Sequence, residues 1–242
     1  MNARLARLAA HCLPAPVVRR LRRAYRRVAF PDGYFRSISL SDREIETGAY
    51  ESWLYGGCDA WRGHGAFQLF LLKSMGLQPF HTVLDVGCGP LRGGIHVIAY
   101  LDRGRYCGVD FNKSFVRAAT RRVRTEGLSG KDPVLRAIDD LALDRVAGRF
   151  DFVLAFSVLN HCNPEQRRRF LDLVPDRLEP DGRLYVTHAD WFEDACLAGA
   201  RLVLRRTLTG AADVSPDLRM ADWAWPEKRP PVFPILELQR AP

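Results

Sequence analysis

Val83-Leu84-Asp85-Val86-Gly87-Cys88-Gly89-Pro90 is an apolar run that meets an acid and then breaks into glycines. The run suits a short, buried parallel strand, and Gly87 and Gly89 let the backbone turn sharply and approach a ligand closely. Apolar residues then return at helical spacing through Ile95, Ile98 and Leu101. Strand, turn and helix in that order make the first half of a βαβ unit, whose ligands lie beyond the carboxyl ends of the strands. The stretch therefore predicts a site for a nucleotide-like cofactor.

A second short apolar strand, Tyr106-Cys107-Gly108-Val109-Asp110, ends in a carboxylate twenty-one residues after Gly89. That spacing suits an acid that accepts from both ribose hydroxyls, an arrangement a phosphorylated ribose would forbid. The alternative is that Asp110 caps the following helix, a role Asn112 fits equally well.

The turn Gly87-Cys88-Gly89-Pro90-Leu91-Arg92 breaks the dinucleotide pattern, because Arg92 stands where the last glycine belongs, and there is no glycine-rich loop ending in Lys-Ser or Lys-Thr. The residues instead resemble the class I S-adenosylmethionine-dependent methyltransferases, whose first motif is an apolar pair, an acid, an apolar residue and Gly-x-Gly-x-Gly. Asp85, Gly87 and Gly89 match, whereas Leu91 replaces the third glycine; Gly93-Gly94 is expected to supply the missing flexibility. The resemblance implies S-adenosylmethionine as cofactor and S-adenosylhomocysteine as product. It also implies a cofactor site lined by Asp85, Gly87, Cys88, Gly89, Arg92, Asp110 and Phe111. Arg92 either meets the methionine carboxylate or faces solvent, and Cys88 serves by being small.

Three further stretches are similar to the family's later motifs, in the right order. Val134 to Asp140 ends a third strand with two acids, of which Asp139, followed by Asp140, would lie near the adenine amine. Phe150 to His161 resembles the fourth strand and the segment leaving it, which brings Phe156 and Ser157 to the cofactor. Leu178-Glu179-Pro180-Asp181-Gly182 looks like the turn into a fifth strand. The fold so implied is α/β: a Rossmann-like three-layer sandwich with a mostly parallel seven-stranded sheet and an N-terminal helical extension. Strands expected over 201–206 and 232–239, the last antiparallel, complete the sheet after a helix over 190–197. The segment 207–229, with Trp223-Ala224-Trp225-Pro226, either walls an acceptor pocket or packs as a surface loop.

In-line methyl transfer depends chiefly on holding the acceptor along the bond axis, with a general base where the acceptor must lose a proton. His161 leaves the fourth strand and His188 the fifth, so both are expected at the carboxyl edge. His161 is the first candidate base, and its alternative is a loop-fixing hydrogen bond; His188 and Asp190 follow.

Charge is unevenly distributed. Residues 1–36 hold nine arginines against Asp32 alone, which gives 9 − 1 = +8, so the remaining 27 basic and 27 acidic residues cancel. A neutral body argues against a broad nucleic-acid surface. In the arm, Val17, Leu21, Tyr25 and Val28 fall at helical spacing among arginines, predicting a basic amphipathic helix for an anionic lipid surface, an acidic partner, targeting, or packing on the domain. The expected organisation is an arm over 1–36, a helical lid over 37–78 and a methyltransferase domain over 79–242. In the lid, Ser41-Asp42-Arg43-Glu44 forms a capping box opening a helix that Gly48 ends. Trp53, Tyr55 and Trp61, flanked by Gly56-Gly57 and Gly63-His64-Gly65, make either a mobile cover or core.

No run approaches the roughly 18 apolar residues needed for a membrane span, and six scattered cysteines suggest neither a metal site nor a disulfide frame, so a reduced, cytoplasmic setting is expected. The leading reading is a methyltransferase for a small-molecule or sugar-like acceptor. The alternatives are a non-catalytic S-adenosylmethionine-binding protein contacting a membrane or partner through its arm, and an RNA or protein methyltransferase.

Overall fold

The computed structural model describes residues 38–54, 58–187, 201–208 and 235–241, with the backbone alone at 58–62 and 64. Within the unit Ser39–Pro242 lies a seven-stranded sheet. In chain order its strands are β1 (Val83–Val86), β2 (Tyr106–Asp110), β3 (Val134–Ala137), β4 (Phe150–Ala155), β5 (Leu178–Thr187), β6 (Leu202–Leu208) and β7 (Ile235–Arg240). Their order across the sheet is β3-β2-β1-β4-β5-β7-β6. β1 pairs in parallel with β2 and β4, β2 with β3 and β4 with β5, whereas β7 runs antiparallel to both neighbours. The expected mixed seven-stranded architecture is therefore present.

All four residues of β1 are buried, as its unbroken apolar character requires when helices cover both faces. Alternation along the strands builds two cores. Val83, Tyr106, Phe152, Leu154 and Tyr185 pack on one face, while Leu84, Val86, Cys107, Val109, Val153 and Ala155 pack on the other. Helices α2 (Cys58–Ser74), α3 (Gly94–Tyr100) and α4 (Lys113–Thr125) contribute Leu71, Ile95, Ile98, Ala119 and Val123 to the first core, and α5 (Pro164–Leu173) contributes Phe170 and Leu171 to the second. Each fully buried leucine or phenylalanine there contributes roughly 2 kcal/mol.

Between β1 and β4 the connections change direction, because β2 and β3 lie to one side and β5 to the other. Such a switch point opens a crevice at the carboxyl ends of the strands. The turn after Val86 and the loop after Ala155 border it.

Several expectations meet a different outcome. The Glu179-Pro180-Asp181-Gly182 turn sits inside β5 as a bulge: Phe150 pairs with Leu178 and Phe152 with Arg183, so these four residues oppose Asp151 alone. A Cβ on Gly182 would lie 2.7 Å from the Phe150 carbonyl oxygen, which is why the bulge needs glycine. Gly63 and Gly65 do not break the chain, since both lie within the continuous helix α2. Gly65 permits close packing: a Cβ there would be 2.1 Å from the Arg92 carbonyl oxygen. Trp53 is 45% exposed and so is not core, whereas Tyr50 is buried at 3%. Tyr55, the helix expected over 190–197 and the segment 209–234 with Trp223 and Trp225 lie outside the described residues, as does the arm.

The capping box is present: the Ser41 hydroxyl accepts from the Glu44 amide at the start of α1 (Asp42–Thr47), and Gly48 closes that helix at φ +71°. Residues 40–51 bind along α4. Arg117 pairs with Asp42 (2.6 Å), Arg121 donates to the Glu46 carbonyl (2.8 Å) and Arg122 pairs with Glu51 (2.7 Å). The first pair is exposed and contributes under about 1 kcal/mol, but the Arg122 side chain is only 13% exposed and holds more. The Leu40 amide also donates to the Ser114 hydroxyl (3.0 Å), which itself donates to the Asn112 side-chain oxygen (2.7 Å). Among the described residues no helix is long and apolar enough to cross a membrane.

Candidate functional site

The turn after β1 takes left-handed backbone at Gly87 (φ +74°), Gly89 (φ +54°) and Leu91 (φ +61°). The third position of the glycine motif thus keeps its conformation although its residue is leucine. Leu91 is fully buried, and packing of its side chain offsets strain of roughly 1–2 kcal/mol. Gly93 and Gly94 do not take over the missing freedom; neither has positive φ. They clear space instead, since a Cβ on Gly93 would collide with the Gln68 side chain and one on Gly94 would lie 2.2 Å from the Tyr106 hydroxyl oxygen.

Two buried carboxylates stand at the ends of β1 and β2. The Gly87 and Cys88 amides donate to the Val109 carbonyl, which draws the turn against β2. Asp110, 6% exposed, then accepts from the Gly89 amide (2.9 Å) and the Asn112 amide (2.8 Å). Asn112 is the helix cap, its side-chain oxygen accepting from the Ser114 and Phe115 amides. The capping alternative for Asp110 therefore gives way to Asn112. The Phe111 amide acts on the same carboxylate, so three backbone amides gather at Asp110. Asp85 accepts from the Tyr106 hydroxyl at 2.6 Å. Burial pushes both carboxyls up to about 6; the Tyr106 bond opposes this at Asp85, and the Asn112, Gly89 and Phe111 amides oppose it at Asp110. The Cys88 thiol is driven well above its ordinary range by burial and the two carboxylates, so it stays protonated and is no nucleophile. Arg92, half-buried, acts on Asp85 through its charge.

Beyond β2, Phe111 is half-buried. After β3 the two acids separate: Asp140 accepts from Gln166 (2.6 Å) and faces Arg169 (3.6 Å), both on α5, whereas Asp139 is exposed. Left-handed backbone at Asp140 and Leu141 produces the turn between them and the following 3-10 segment.

The loop leaving β4 forms the opposite wall. Phe156 is buried, and Ser157 sits at φ +58° with its amide donating to the Thr187 hydroxyl (2.8 Å) at the end of β5. Val158 packs on the glycine turn, where a Cβ on Gly87 would come within 2.3 Å of its Cγ2. His161 closes a 3-10 turn, half-buried, with Nε2 3.3 Å from the Asn160 amide nitrogen. That contact suits the neutral tautomer with the proton on Nδ1. The buried Asn160 side-chain oxygen has no hydrogen-bond partner among the described residues. His188 and Asp190 lie outside them.

The structure thus joins Asp85, Gly87, Cys88, Gly89 and Asp110 in one site, with the Phe156 to His161 loop beside it. Tyr106, Asn160 and Thr187 are additions. Tyr106 had a legible signal, since it lies at i−4 from Asp110 on one face of β2, with Gly108 between them. Asn160 and Thr187 carry none.

Residues 84–184 match the model of a family described as a methyltransferase domain. That stretch is similar to methyltransferase domains. A methyltransferase from Clostridium acetobutylicum superposes with a TM-score of 0.56 at 11% identity, covering 84% of this chain and 100% of that one. Magnesium protoporphyrin IX methyltransferase from Synechocystis, solved with bound S-adenosylmethionine, gives a TM-score of 0.54 at 19% identity, with 85% and 100% covered. Identities this low speak for a shared fold. An uncharacterised protein of Rickettsia prowazekii is 24% identical over 123 residues, and the match takes in 48% of this chain and 47% of that protein, about half its length. The family match begins within β1 and ends within β5, so it takes in neither α1 and α2 nor the β6–β7 pair.

Proposed function

We propose that the protein transfers a methyl group from S-adenosylmethionine to a small-molecule or sugar-like acceptor. The observation that carries this reading is the pair of buried carboxylates, Asp85 and Asp110, at the end of the glycine turn. A phosphate group would meet two anions there in a poorly solvated setting, whereas a sulfonium and ammonium ligand with an unmodified ribose meets its complement. The donor set fits that cofactor. Asp110 would hold the ribose hydroxyls, Asp85 the methionyl ammonium, Asp139 the adenine amine, and Phe111 and Phe156 would pack on its apolar parts.

The bound cofactor supplies an already activated methyl group. The protein's task is then to hold the acceptor in line, which is worth roughly 7–11 kcal/mol. The β4 loop serves this purpose, its path fixed by the Ser157–Thr187 bond and by Val158 against Gly87. His161 is the base in this reading. With the ring proton on Nδ1, Nε2 takes the proton from the acceptor, exchanging its Asn160 contact for the acceptor as it does so.

One feature favours a second reading. The Asn160 contact occupies Nε2 of the candidate base, as in a loop-fixing histidine, and a non-catalytic S-adenosylmethionine-binding protein would need nothing more. The basic arm over 1–36 would give either protein an anchor on an anionic membrane surface or acidic partner.

Incubation with methyl-labelled cofactor and fractionated cell extract tests the proposal. Label in a small-molecule fraction supports it, label in RNA or protein replaces the acceptor class, and cofactor binding without label anywhere selects the binding protein.

A further inference from the structure

Tyr106 is an unusual tenant of a parallel strand's interior. Its ring and hydroxyl lie at the first position of β2, fully inside the core, and two glycines on different elements make room for it. A Cβ on Gly94, at the start of α3, would lie 2.2 Å from the hydroxyl oxygen, and one on Gly108, two residues along β2, would lie 2.9 Å from ring carbon Cε1. Asp85 pairs with Gly108 across the β1–β2 ladder, so the space left by that missing side chain lets the ring lean toward β1. The hydroxyl ends 2.6 Å from Asp85 Oδ2, short for a hydrogen bond and typical of a neutral donor on a carboxylate.

We propose that Tyr106 is a positioning residue for the cofactor site: seated between Gly94 and Gly108, it clamps one Asp85 oxygen and keeps that carboxylate oriented and anionic for the cofactor's ammonium group. The inference rests on the cofactor reading above and extends it to a residue outside the family motif. The groups acting on Asp85 are the Tyr106 hydroxyl and the Asp110 carboxylate from β2, and the Arg92 guanidinium from the turn. The neighbouring Cys88 and Cys107 thiols, pushed up by burial, remain neutral. Burial has also raised Tyr106 well above its usual range, so it stays a donor throughout the physiological span. Asp85 has been raised to about 6 even with this bond in place. Removing the donor withdraws support from the charged form, and the carboxyl then takes up its proton at a still higher pH.

The test is calorimetric titration of S-adenosylhomocysteine, which keeps the ammonium group and undergoes no transfer, into the full-length protein between about pH 5.5 and 8.5. Wild-type affinity should fall as pH drops through about 6. In Tyr106→Phe the fall should begin about one pH unit higher, leaving binding roughly threefold weaker near pH 6.5, approaching tenfold weaker toward pH 5.5, and similar to wild type above about pH 8. Because Asp110 titrates in the same range, Asp85→Asn is measured alone and with Tyr106→Phe. The second substitution should add nothing once Asp85 is neutral. A loss of equal size at every pH, or an unchanged profile, overturns the proposal.

A carboxyl carbon NMR titration of the ligand-free protein separates the two layers of inference. If wild type binds no S-adenosylhomocysteine, the cofactor reading fails and the positioning role falls with it. An upward move of Asp85 in Tyr106→Phe would then still establish the clamp on the carboxylate. If wild type binds but Asp85 does not move, the clamp alone is overturned.

Discussion

The end of β2 and the loop leaving β4 face the same crevice, yet they are held in opposite ways. At β2 the holding atoms are backbone amides: Gly89 and Asn112 donate to Asp110, and Gly87 and Cys88 donate to Val109. At β4 side chains add to the backbone bonds of the 3-10 turn, with Thr187 on the Ser157 amide, Asn160 on His161 and Val158 against Gly87. A site closed by amides is fixed by the path of the chain and changes only if the fold does. One closed by side chains is free to change residue by residue. The first arrangement suits a common cofactor and the second an acceptor that differs from one methyltransferase to another.

The division can be broken where it is strongest. His161→Ala should lower turnover by roughly 100- to 10,000-fold while S-adenosylhomocysteine affinity stays at the wild-type level. A wild-type rate in a single-turnover assay would return His161 to the loop-fixing role. Asp110→Ala removes an acceptor from two amides and from the ribose, and should weaken binding by roughly 100-fold. Calorimetry showing unchanged affinity would separate Asp110 from the ribose.

Smaller effects sharpen the contrast. Gly87→Ala adds a Cβ 2.3 Å from Val158 at φ +74° and should cost roughly 2–4 kcal/mol in denaturant unfolding. Combining it with Val158→Ala should recover the steric part and leave the backbone strain of about 1 kcal/mol; no recovery would mean that contact with Val158 is not what excludes a side chain. Smallest of all, Asp139→Asn should weaken cofactor binding about two- to tenfold and Asp140→Asn should leave it unchanged, because Asp140 already serves Gln166 and Arg169. Equal losses by calorimetry would merge the two acids into one role.

The same contrast governs what could be read from sequence. Val83 to Gly89 and Tyr106 to Asp110 are local patterns, an apolar run ending in an acid or glycine, and each forms the strand it suggests because burial on both faces admits little else. The strand expected over 201–206 runs over Leu202–Leu208, and that expected over 232–239 is seen over Ile235–Arg240, antiparallel as anticipated. Glycines were harder. Gly63 and Gly65 resemble breaks, but Gly65 serves the approach of α2 to the Arg92 carbonyl, a contact made 27 positions along the chain. Leu91 looks like a lost glycine, yet its side chain is buried and its backbone keeps the turn. Tertiary packing set the meaning of these residues, and nothing within a few positions of them records it. The Asn160 and Thr187 contacts were illegible for the same reason.

The relay from the Leu40 amide through Ser114 and Asn112 reaches the carboxylate of Asp110 in three hydrogen bonds. Where this relay couples a ligand on Asp110 to the Leu40 contact, each strengthens the other by the same factor. Amide exchange at Leu40 becomes a gauge of occupancy at a site it does not touch: it should slow when the crevice fills, and the protection gained should equal the coupling between the two.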